Sequence, residues 1–177
     1  MYRFIKYILD FFISLIGVIV LLPLIIIIGL LVKVTSKGPI FFKQKRVGKN
    51  KKIFKIYKFR TMRIDAPKDT PTHLLDNPDK YITKIGKFLR KMSLDELPQI
   101  FNILFGQMSI VGPRPALWNQ NDLIFERDKY GANQLRPGLT GLAQISGRDE
   151  LTIPDKAAID GEYVRKQSFL FDISILF

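Results

Sequence analysis

The chain of 177 residues contains no cysteine and a single histidine. Without cysteine it cannot form a disulfide bond, a thiolate nucleophile or a cysteine-based metal site. The histidine, His73, lies in the polar stretch DAPKDTPTHLLDNPD, which is typical of a solvated loop. One histidine also excludes a multi-histidine metal site, although carboxylates could still hold a hard cation such as Mg²⁺. Charge chemistry must therefore come from Asp, Glu, Lys and Arg.

Acidic residues are absent from Phe11 to Ile64, in a chain whose formal net charge is +12. The second half of this stretch is rich in cations, namely Lys33, Lys37, Lys43, Lys45, Arg46, Lys49, Lys51, Lys52, Lys55, Lys58, Arg60 and Arg63. Such a block attracts phosphate, which can belong to nucleic acid, to anionic lipid headgroups or to a small substrate. The apolar segment directly before the block favours lipid-associated phosphate and argues against nucleic acid.

That apolar segment, FFISLIGVIVLLPLIIIIGLLV, covers residues 11–32 and carries no charge. As a helix it would reach about 30 Å, the thickness of a bilayer core, so it predicts a membrane helix. A cleaved signal peptide is the alternative, but the run is too long and no small-residue cleavage site precedes Lys33. Pro23, near the midpoint, removes a backbone donor where little can replace it, so we expect the helix to be kinked or broken there.

Two membrane topologies fit this segment: a full crossing, or a re-entrant helix that enters one leaflet and returns. Arg3 and Lys6 precede the segment and the basic block follows it, and positive flanks prefer the cytoplasmic side. Positive charge at both ends favours the re-entrant helix, while a full crossing stays open. A chain of this length can bury one good core. We therefore predict a re-entrant helix over residues 1–33 and a cytoplasmic, membrane-surface domain over residues 34–177.

The rest of the chain predicts an α+β fold that is mostly helical and carries a short β-hairpin. Residues 40–46 and 53–60 predict two short strands, joined at the turn residues Gly48 and Asn50. Residues 82–92 have the apolar spacing of an amphipathic helix. Most lysines of the hairpin are expected to anchor the protein to anionic lipid, although a hairpin this basic could also flank a phosphate site.

Asp95 and Glu96 are adjacent carboxylates in SLDELPQIFN, between a basic and an apolar segment. The simpler explanation is a capping box, in which Ser93 and Glu96 cap a helix start and the helix dipole favours Asp95. Pro98 comes too late for a helix that begins at Ser93, because it would delete a backbone bond just after the first turn. The helix is therefore either kinked or begins nearer Pro98. In both cases we expect the two carboxylates at an irregular helix start.

Two further segments contain candidate phosphate-binding arginines. Prolines on both sides of Arg114 in GPRP fix the local backbone, and a rigid arginine suits bidentate phosphate recognition. A surface turn that merely contains arginine would have the same sequence. LRPGLTGLAQISGRD carries Arg136 and Arg148 among glycines that indicate close backbone approach. It contains neither a P-loop nor a G-x-G-x-x-G fingerprint, so it does not predict a nucleotide fold.

Three motifs occur together after the proline-containing membrane segment: KFRTM (58–62), LRKMSLDELPQIFNILFGQMSIVGPRP (89–115) and RPGLTGLAQISGR (136–148). In these motifs and their spacing the chain closely resembles the bacterial sugar transferases, the small monotopic phosphoglycosyl transferases, over nearly its whole length. The resemblance implies transfer of a sugar 1-phosphate from a UDP-sugar to undecaprenyl phosphate, with release of UMP. It also implies Mg²⁺, a phosphosugar-aspartyl intermediate, and a re-entrant helix at the cytoplasmic face of the bacterial inner membrane.

Carried over by position, the resemblance implies that Asp95 is the nucleophile and Glu96 its partner in the dyad. We place Mg²⁺ on Asp95, while Glu96 could act as a general acid or base or only cap the helix. The family's arginine before the dyad falls on Arg90, and its phosphate-binding arginine falls on Arg114. The other candidates for substrate or phosphate binding are Lys58, Arg60, Arg136 and Arg148.

The sequence departs from the family pattern in two places. The family often has Ser-Pro at the helix break, whereas this chain has Leu22-Pro23, which leaves the angle and depth of re-entry open. The family usually continues past a DISILF-like segment, whereas this sequence ends at Phe177, so a C-terminal membrane-proximal piece could be absent.

Two other functions stay open from the residues alone. A membrane-anchored binding module would use the basic block on polyanions and would be indifferent to Asp95. A polyprenyl-phosphate glycosyltransferase would move the sugar without its phosphate and release UDP instead of UMP. Neither the sugar nor the glycoconjugate pathway has a portable sequence pattern, and the apolar faces could serve lipid or a second copy of the chain.

Overall fold

The long N-terminal helix dominates the first part of the fold. The computed structural model describes residues 2–67, 77–147 and 150–177. Helix α1 covers Tyr2–Thr35 and continues through Pro23 without ending there. A proline removes one hydrogen bond of a long helix and need not end it. The helix is therefore continuous at Pro23, where the sequence predicted a kink or a break. Re-entry into the membrane stays a prediction.

Within the described residues, α1 is the one helix long and apolar enough to cross a membrane. Length and composition alone would also suit a signal sequence or a core helix, but most of the apolar side chains of α1 are exposed. Apolar side chains exposed over this length are unfavourable in water and favour contact with lipid or with another protein surface.

The predicted hairpin is confirmed. Strand β1 covers Phe41–Val47 and β2 covers Ile53–Phe59, and the two form a two-stranded antiparallel sheet. A single 3₁₀ turn at Lys49–Lys51 connects them, in which Asn50 and Lys51 have φ values of 53° and 61°. Asparagine tolerates this left-handed conformation better than most residues, which explains why the chain reverses at Asn50.

The remaining elements are mostly short helices. They are α2 (Lys84–Lys91), α3 (Gln99–Leu104), β3 (Ser109–Val111), α4 (Asn121–Asp128), β4 (Gly138–Thr140), α5 (Leu142–Ile145), α6 (Ile153–Lys166) and α7 (Phe169–Leu176), with 3₁₀ turns at Pro78–Lys80, Leu94–Glu96 and Ala132–Gln134. The chain forms two compact units, and the domain boundary predicted after residue 33 stays a prediction. Unit 1 comprises Met1–Leu15, Lys45–Phe54 and Asn102–Phe177, and unit 2 comprises Ile16–Gln44 and Lys55–Phe101.

The core of unit 2 packs the second half of α1 against β2 and α2. Ile28 and Val32 of α1, Phe59 of β2 and Leu89 of α2 are buried there. Helix α2 confirms the predicted amphipathic helix, and its start is capped by the side chain of Thr83. The capping bond satisfies one of the orphan amides at the helix start and so fixes where α2 begins.

Unit 1 contains a parallel pair of short strands that the sequence did not predict. Strand β3 pairs with β4, with Ser109 opposite Gly138 and Val111 opposite Thr140. A Cβ atom at Gly138 would lie 2.2 Å from the amide nitrogen of Gly112, so only glycine allows this approach. The close backbone approach expected from the glycines is therefore found, and it is between two segments of the protein itself.

Candidate active site

The Asp95-Glu96 dyad lies in unit 2, in the 3₁₀ turn between α2 and α3. Ser93 has a φ of 55°, and its side chain makes no capping hydrogen bond, so the capping box does not form. Helix α3 begins at Gln99, directly after Pro98. A proline at this position costs no helix bond, because the first amides of a helix have no intrahelical partner. The predicted irregular helix start is confirmed, in the version that begins near Pro98.

The Asp95 carboxyl lies in an environment that both opposes and supports its charge. Asp95 is 9% exposed. Burial is the largest influence and raises the pKa of this carboxyl, and the nearby Glu96 carboxylate raises it further. The charges of Lys58 and Arg90 lower the pKa, but they do not overcome burial. Asp95 is therefore a poorly solvated carboxyl whose charge is opposed by burial and supported by Lys58 and Arg90.

Two of the predicted basic residues accompany the dyad. The Lys58 Nζ, on β2, donates to Glu96 Oε1 at 2.6 Å, and both side chains are mostly buried. The Arg90 Nε, on α2, donates to Thr61 Oγ1 at 2.9 Å. Burial lowers the pKa of Arg90, whereas the negative charge of Asp95 raises it. The Arg90 guanidinium and the Asp95 carboxylate therefore interact electrostatically. Unit 2 therefore brings together Lys58, Arg90, Asp95 and Glu96.

Arg60 has a different setting within unit 2. Its Nη2 donates to the backbone carbonyl and to the hydroxyl of Ser36, both at 2.7 Å. Arg60 is buried, and its Nε and Nη1 have no hydrogen-bond partner among the described residues. Burial lowers the pKa of this guanidinium. The two hydrogen bonds from Arg60 to Ser36 hold the chain directly after the end of α1.

Arg114 lies in unit 1 and is half-buried between the buried Pro113 and Pro115. The turn is held at its backbone: Pro113 O accepts from Gly138 N at 2.9 Å, and Arg114 O accepts from Arg127 Nη1 at 2.9 Å. The carbonyls of Pro113 and Arg114 are thus both engaged, which supports the stiff presentation predicted for Arg114. Its phosphate binding stays a prediction.

Arg136, also in unit 1, is engaged with α1. Its Nη2 donates to Asp10 Oδ2 at 2.9 Å, and its guanidinium lies 4.7 Å from the centre of the Tyr7 ring. Asp10 also accepts from Ser109 Oγ at 2.8 Å and from Ile110 N at 3.1 Å. These contacts tie the N-terminal half of α1 to β3, so Arg136 has an evident structural role.

Two predicted positions lie outside the described residues. They are Arg148, a candidate for phosphate binding, and His73 of the predicted solvated loop.

The dyad offers oxygen donors for Mg²⁺. No group of three or more His, Cys, Asp or Glu side chains that could hold a metal occurs in the described parts of the chain. Mg²⁺ at phosphoryl-transfer sites is usually held by one or two carboxylates, while substrate phosphates and water supply the other oxygens. Asp95 and Glu96 are therefore compatible with Mg²⁺ binding that depends on a phosphate substrate.

The arrangement in unit 2, a buried carboxyl whose charge is supported by two cations, is compatible with phosphoryl-transfer chemistry. The chain belongs to the bacterial sugar transferase family, whose profile matches residues 1–177. The resemblance drawn from the three motifs is thereby confirmed.

Individual relatives are similar over most of this chain. A UDP-glucose:undecaprenyl-phosphate glucose-1-phosphate transferase from Klebsiella pneumoniae is 41% identical over 175 residues, which cover 95% of this chain and 37% of that protein. The exopolysaccharide production protein ExoY from Sinorhizobium fredii is 38% identical over 182 residues, which cover 95% of this chain and 80% of that protein. The galactosyl transferase CpsE from Streptococcus agalactiae is 44% identical over 155 residues, which cover 78% of this chain and 33% of that protein. The chain thus spans only about a third of the Klebsiella and Streptococcus proteins.

Sequence reasoning missed several residues that hold the candidate site residues in place. Thr61 accepts from Arg90, Asp10 accepts from Arg136, and Arg127 donates to the Arg114 carbonyl. Asp10 had a usable signal, because a lone carboxylate directly before an apolar membrane segment needs a partner. Arg127 had none, because its ion-pair partner Asp160 is 33 residues away in sequence.

Proposed function

We propose that this protein transfers a sugar 1-phosphate from a UDP-sugar to undecaprenyl phosphate and releases UMP. Family membership and the relatives named for undecaprenyl-phosphate glucose transfer support the reaction class. The observation that carries the proposal is the buried Asp95 carboxyl near the charges of Lys58 and Arg90. The names of the relatives make UDP-glucose and UDP-galactose the first donors to test.

In the first step, an Asp95 carboxylate oxygen attacks the phosphorus that bears the sugar. A new oxygen-phosphorus bond forms to Asp95, the bond between this phosphorus and the bridging oxygen breaks, and UMP leaves with that oxygen. Lys58 and Arg90 favour the ionised form of Asp95, which is the form that can attack. Burial removes much of the water that would otherwise shield the nucleophile.

In the second step, a phosphate oxygen of undecaprenyl phosphate attacks the same phosphorus. The bond to Asp95 breaks, its carboxylate is restored, and the sugar is left on undecaprenyl diphosphate. Two displacements let the two anionic substrates react in turn, so they need not meet in one complex. Lys58 donates to Glu96, so Glu96 can orient the Lys58 ammonium group or act as a general base that accepts a proton from the acceptor phosphate.

Mg²⁺ is part of the proposal, with Asp95 as the ligand and Glu96 as the neighbouring carboxylate. When bound, Mg²⁺ would neutralise negative charge on the phosphoryl oxygens. The requirement is tested by removing the ion with EDTA and restoring it, with UMP release as the readout.

The remaining basic candidates are proposed as phosphate-binding residues, each within its own unit. Arg114 in unit 1 is presented from a turn whose backbone carbonyls are engaged, so little backbone freedom is lost on binding. Arg60 in unit 2 keeps this role from the sequence, although its guanidinium is buried and donates to Ser36. Arg148 keeps this role on the resemblance alone.

We also propose that α1 is re-entrant and that the folded units lie at the cytoplasmic face of the membrane. Unit 1 combines residues 2–15 with residues 102–177, so the N-terminal end of α1 belongs with the C-terminal part of the chain. Lys6 of α1 is buried and paired with Asp172 of α7. Among the described residues, α1 is the one candidate membrane helix. A full crossing would separate the two parts of unit 1, which supports re-entry.

The test is a UMP-release assay in detergent with Mg²⁺, undecaprenyl phosphate and a panel of UDP-sugars. Asp95→Asn is expected to lose at least about a thousandfold in kcat, because an amide cannot form the covalent intermediate. Asp65→Asn is the matched control, since it removes an exposed carboxylate that pairs with Arg63. It is expected to keep full activity.

Other outcomes of this assay contradict the proposal in distinct ways. Full turnover by Asp95→Asn would exclude Asp95 as the nucleophile. Release of UDP instead of UMP would indicate transfer of the sugar without its phosphate. Salt-sensitive polyanion binding without turnover by the wild type on any UDP-sugar would favour a binding module.

A further inference from the structure

The backbone of the Arg114 turn is held by donors from several parts of unit 1. Pro113 O accepts from Gly138 N at 2.9 Å, and Ala116 O accepts from Val47 N at 2.9 Å. The two carbonyls between these positions accept from arginine side chains. Arg127 Nη1 donates to Arg114 O at 2.9 Å, and Arg46 Nη1 donates to Pro115 O at 3.0 Å. Four consecutive carbonyls are therefore engaged.

Arg127 is itself fixed by a buried ion pair. Its Nε and Nη2 donate to Asp160 Oδ2 on α6, at 2.7 and 2.6 Å, and the side chains of Arg127 and Asp160 are 7% and 1% exposed. A guanidinium is planar and rigid, so holding two of its nitrogens fixes the direction of the third. That third nitrogen, Nη1, points at the carbonyl of Arg114.

Stability alone does not explain this arrangement. A buried ion pair contributes little net stability, because desolvation offsets most of the attraction. Its geometric effect is more specific. The prolines fix φ on both sides of Arg114, and the bond from Arg127 fixes the orientation of the peptide plane that follows Arg114. The Cα–Cβ direction of Arg114 is thereby determined.

We propose that Arg127 and Asp160 are positioning residues for Arg114: Asp160 orients Arg127, and Arg127 holds the Arg114 carbonyl so that the Arg114 guanidinium is presented for phosphate. This inference rests on the proposed function, in which Arg114 binds phosphate of a substrate. Arg127 and Asp160 act through the backbone of Arg114 and need no contact with substrate.

A double-mutant cycle tests the coupling. The UMP-release kinetics of wild type, Arg127→Lys, Arg114→Gln and the double variant are compared. Lysine keeps a positive charge beside Asp160 but lacks the planar fork that reaches the carboxylate and the carbonyl together. We expect Arg127→Lys to lower kcat/KM roughly tenfold alone and less than about twofold when Arg114 is already glutamine.

Lys129→Gln is the matched control, because Lys129 follows α4 and pairs with Glu126 in an exposed setting. It should leave kcat/KM unchanged in both backgrounds. If Arg127→Lys lowers kcat/KM by the same factor with and without the Arg114 side chain, its role is general stability and the inference is wrong. No effect of Arg114→Gln on the wild type would overturn it as well.

Hydrogen exchange gives a readout that does not need activity. Arg127→Lys is expected to speed amide exchange at least about threefold in a peptide covering residues 112–120, with no change in Lys129→Gln. Unchanged exchange in Arg127→Lys would overturn the positioning role. If the wild type releases no UMP from any UDP-sugar, the proposed function fails, and exchange still decides whether Arg127 holds the turn.

Discussion

At the scale of single residues, the candidate nucleophile is costly to keep charged. Asp95 is buried, and burial raises the pKa of its carboxyl despite the cations Lys58 and Arg90. The carboxyl of Asp160, which pairs with Arg127, also has a pKa raised by burial, so the direction of the shift reports burial at both positions. At Asp95, folding therefore opposes the charged form that the proposed reaction needs.

A stability measurement tests this property without any substrate. A carboxyl with a raised folded pKa binds its proton more tightly in the folded than in the unfolded chain. Its favourable contribution is complete below the unfolded pKa and is lost as the pH rises through the folded pKa. At pH 7 in EDTA, Asp95→Asn should therefore raise Tm, because the amide removes a charge that burial destabilises.

The gain should shrink as the pH falls towards 4, because a growing fraction of the wild-type carboxyl is then protonated and uncharged. The exposed Asp65→Asn should leave Tm nearly unchanged at both pH values. A lower Tm for Asp95→Asn at pH 7 would mean that Asp95 is a stabilising partner of Lys58 and Arg90, contrary to this account.

At the scale of elements, helix α2 places Arg90 beside the dyad because it packs directly on the chain after β2. A Cβ atom at Gly86 would lie 2.0 Å from the Thr61 carbonyl oxygen, so the helix backbone and this segment are in contact. Thr61 also accepts the hydrogen bond from Arg90. The close packing that Gly86 allows therefore also sets the position of Arg90 relative to Thr61.

Gly86→Ala is expected to lower the free energy of unfolding by about 2–4 kcal/mol, because a backbone carbonyl cannot move aside as a side chain can. Gly17→Ala is the control: its Cβ would meet the flexible end of Ile100 at 2.5 Å. Since alanine favours a helix, the control should change stability by no more than about 1 kcal/mol. Denaturant unfolding measures both, and equal effects would contradict the packing argument.

At the scale of the whole molecule, the central question is the membrane topology of α1. The chain has no cysteine, so single cysteines can be introduced as labelling sites without removing native ones. Arg3→Cys and Lys37→Cys lie near the two ends of α1, and both positions are exposed. A re-entrant helix predicts that neither cysteine reacts with an impermeant maleimide in intact spheroplasts.

Both cysteines should react in inverted membrane vesicles, which shows that they are accessible from the cytoplasmic face. A spanning helix would instead let Arg3→Cys react in spheroplasts while Lys37→Cys stays protected. That result would exclude the re-entrant topology.

The sequence anticipated most of the local structure. The hairpin, the amphipathic α2 and the irregular start of α3 near Pro98 follow from residues that lie close together in sequence. The parallel pairing of β3 with β4 was missed, because three-residue strands are too short to show a period. Helix α1 continues through Pro23 because a long helix tolerates the loss of one hydrogen bond, and the expected kink at that position stays a prediction.

By itself, the sequence determined the family, the dyad and the list of basic candidates, because motifs are local and their spacing is fixed along the chain. Only the tertiary structure decided which charges are partners. It pairs Lys58 with Glu96, Arg136 with Asp10, and Arg127 with Asp160. These partners are 38, 126 and 33 residues apart in sequence. A buried cation is paired by whichever carboxylate the packed elements bring within a few ångströms, and no local pattern records that distance.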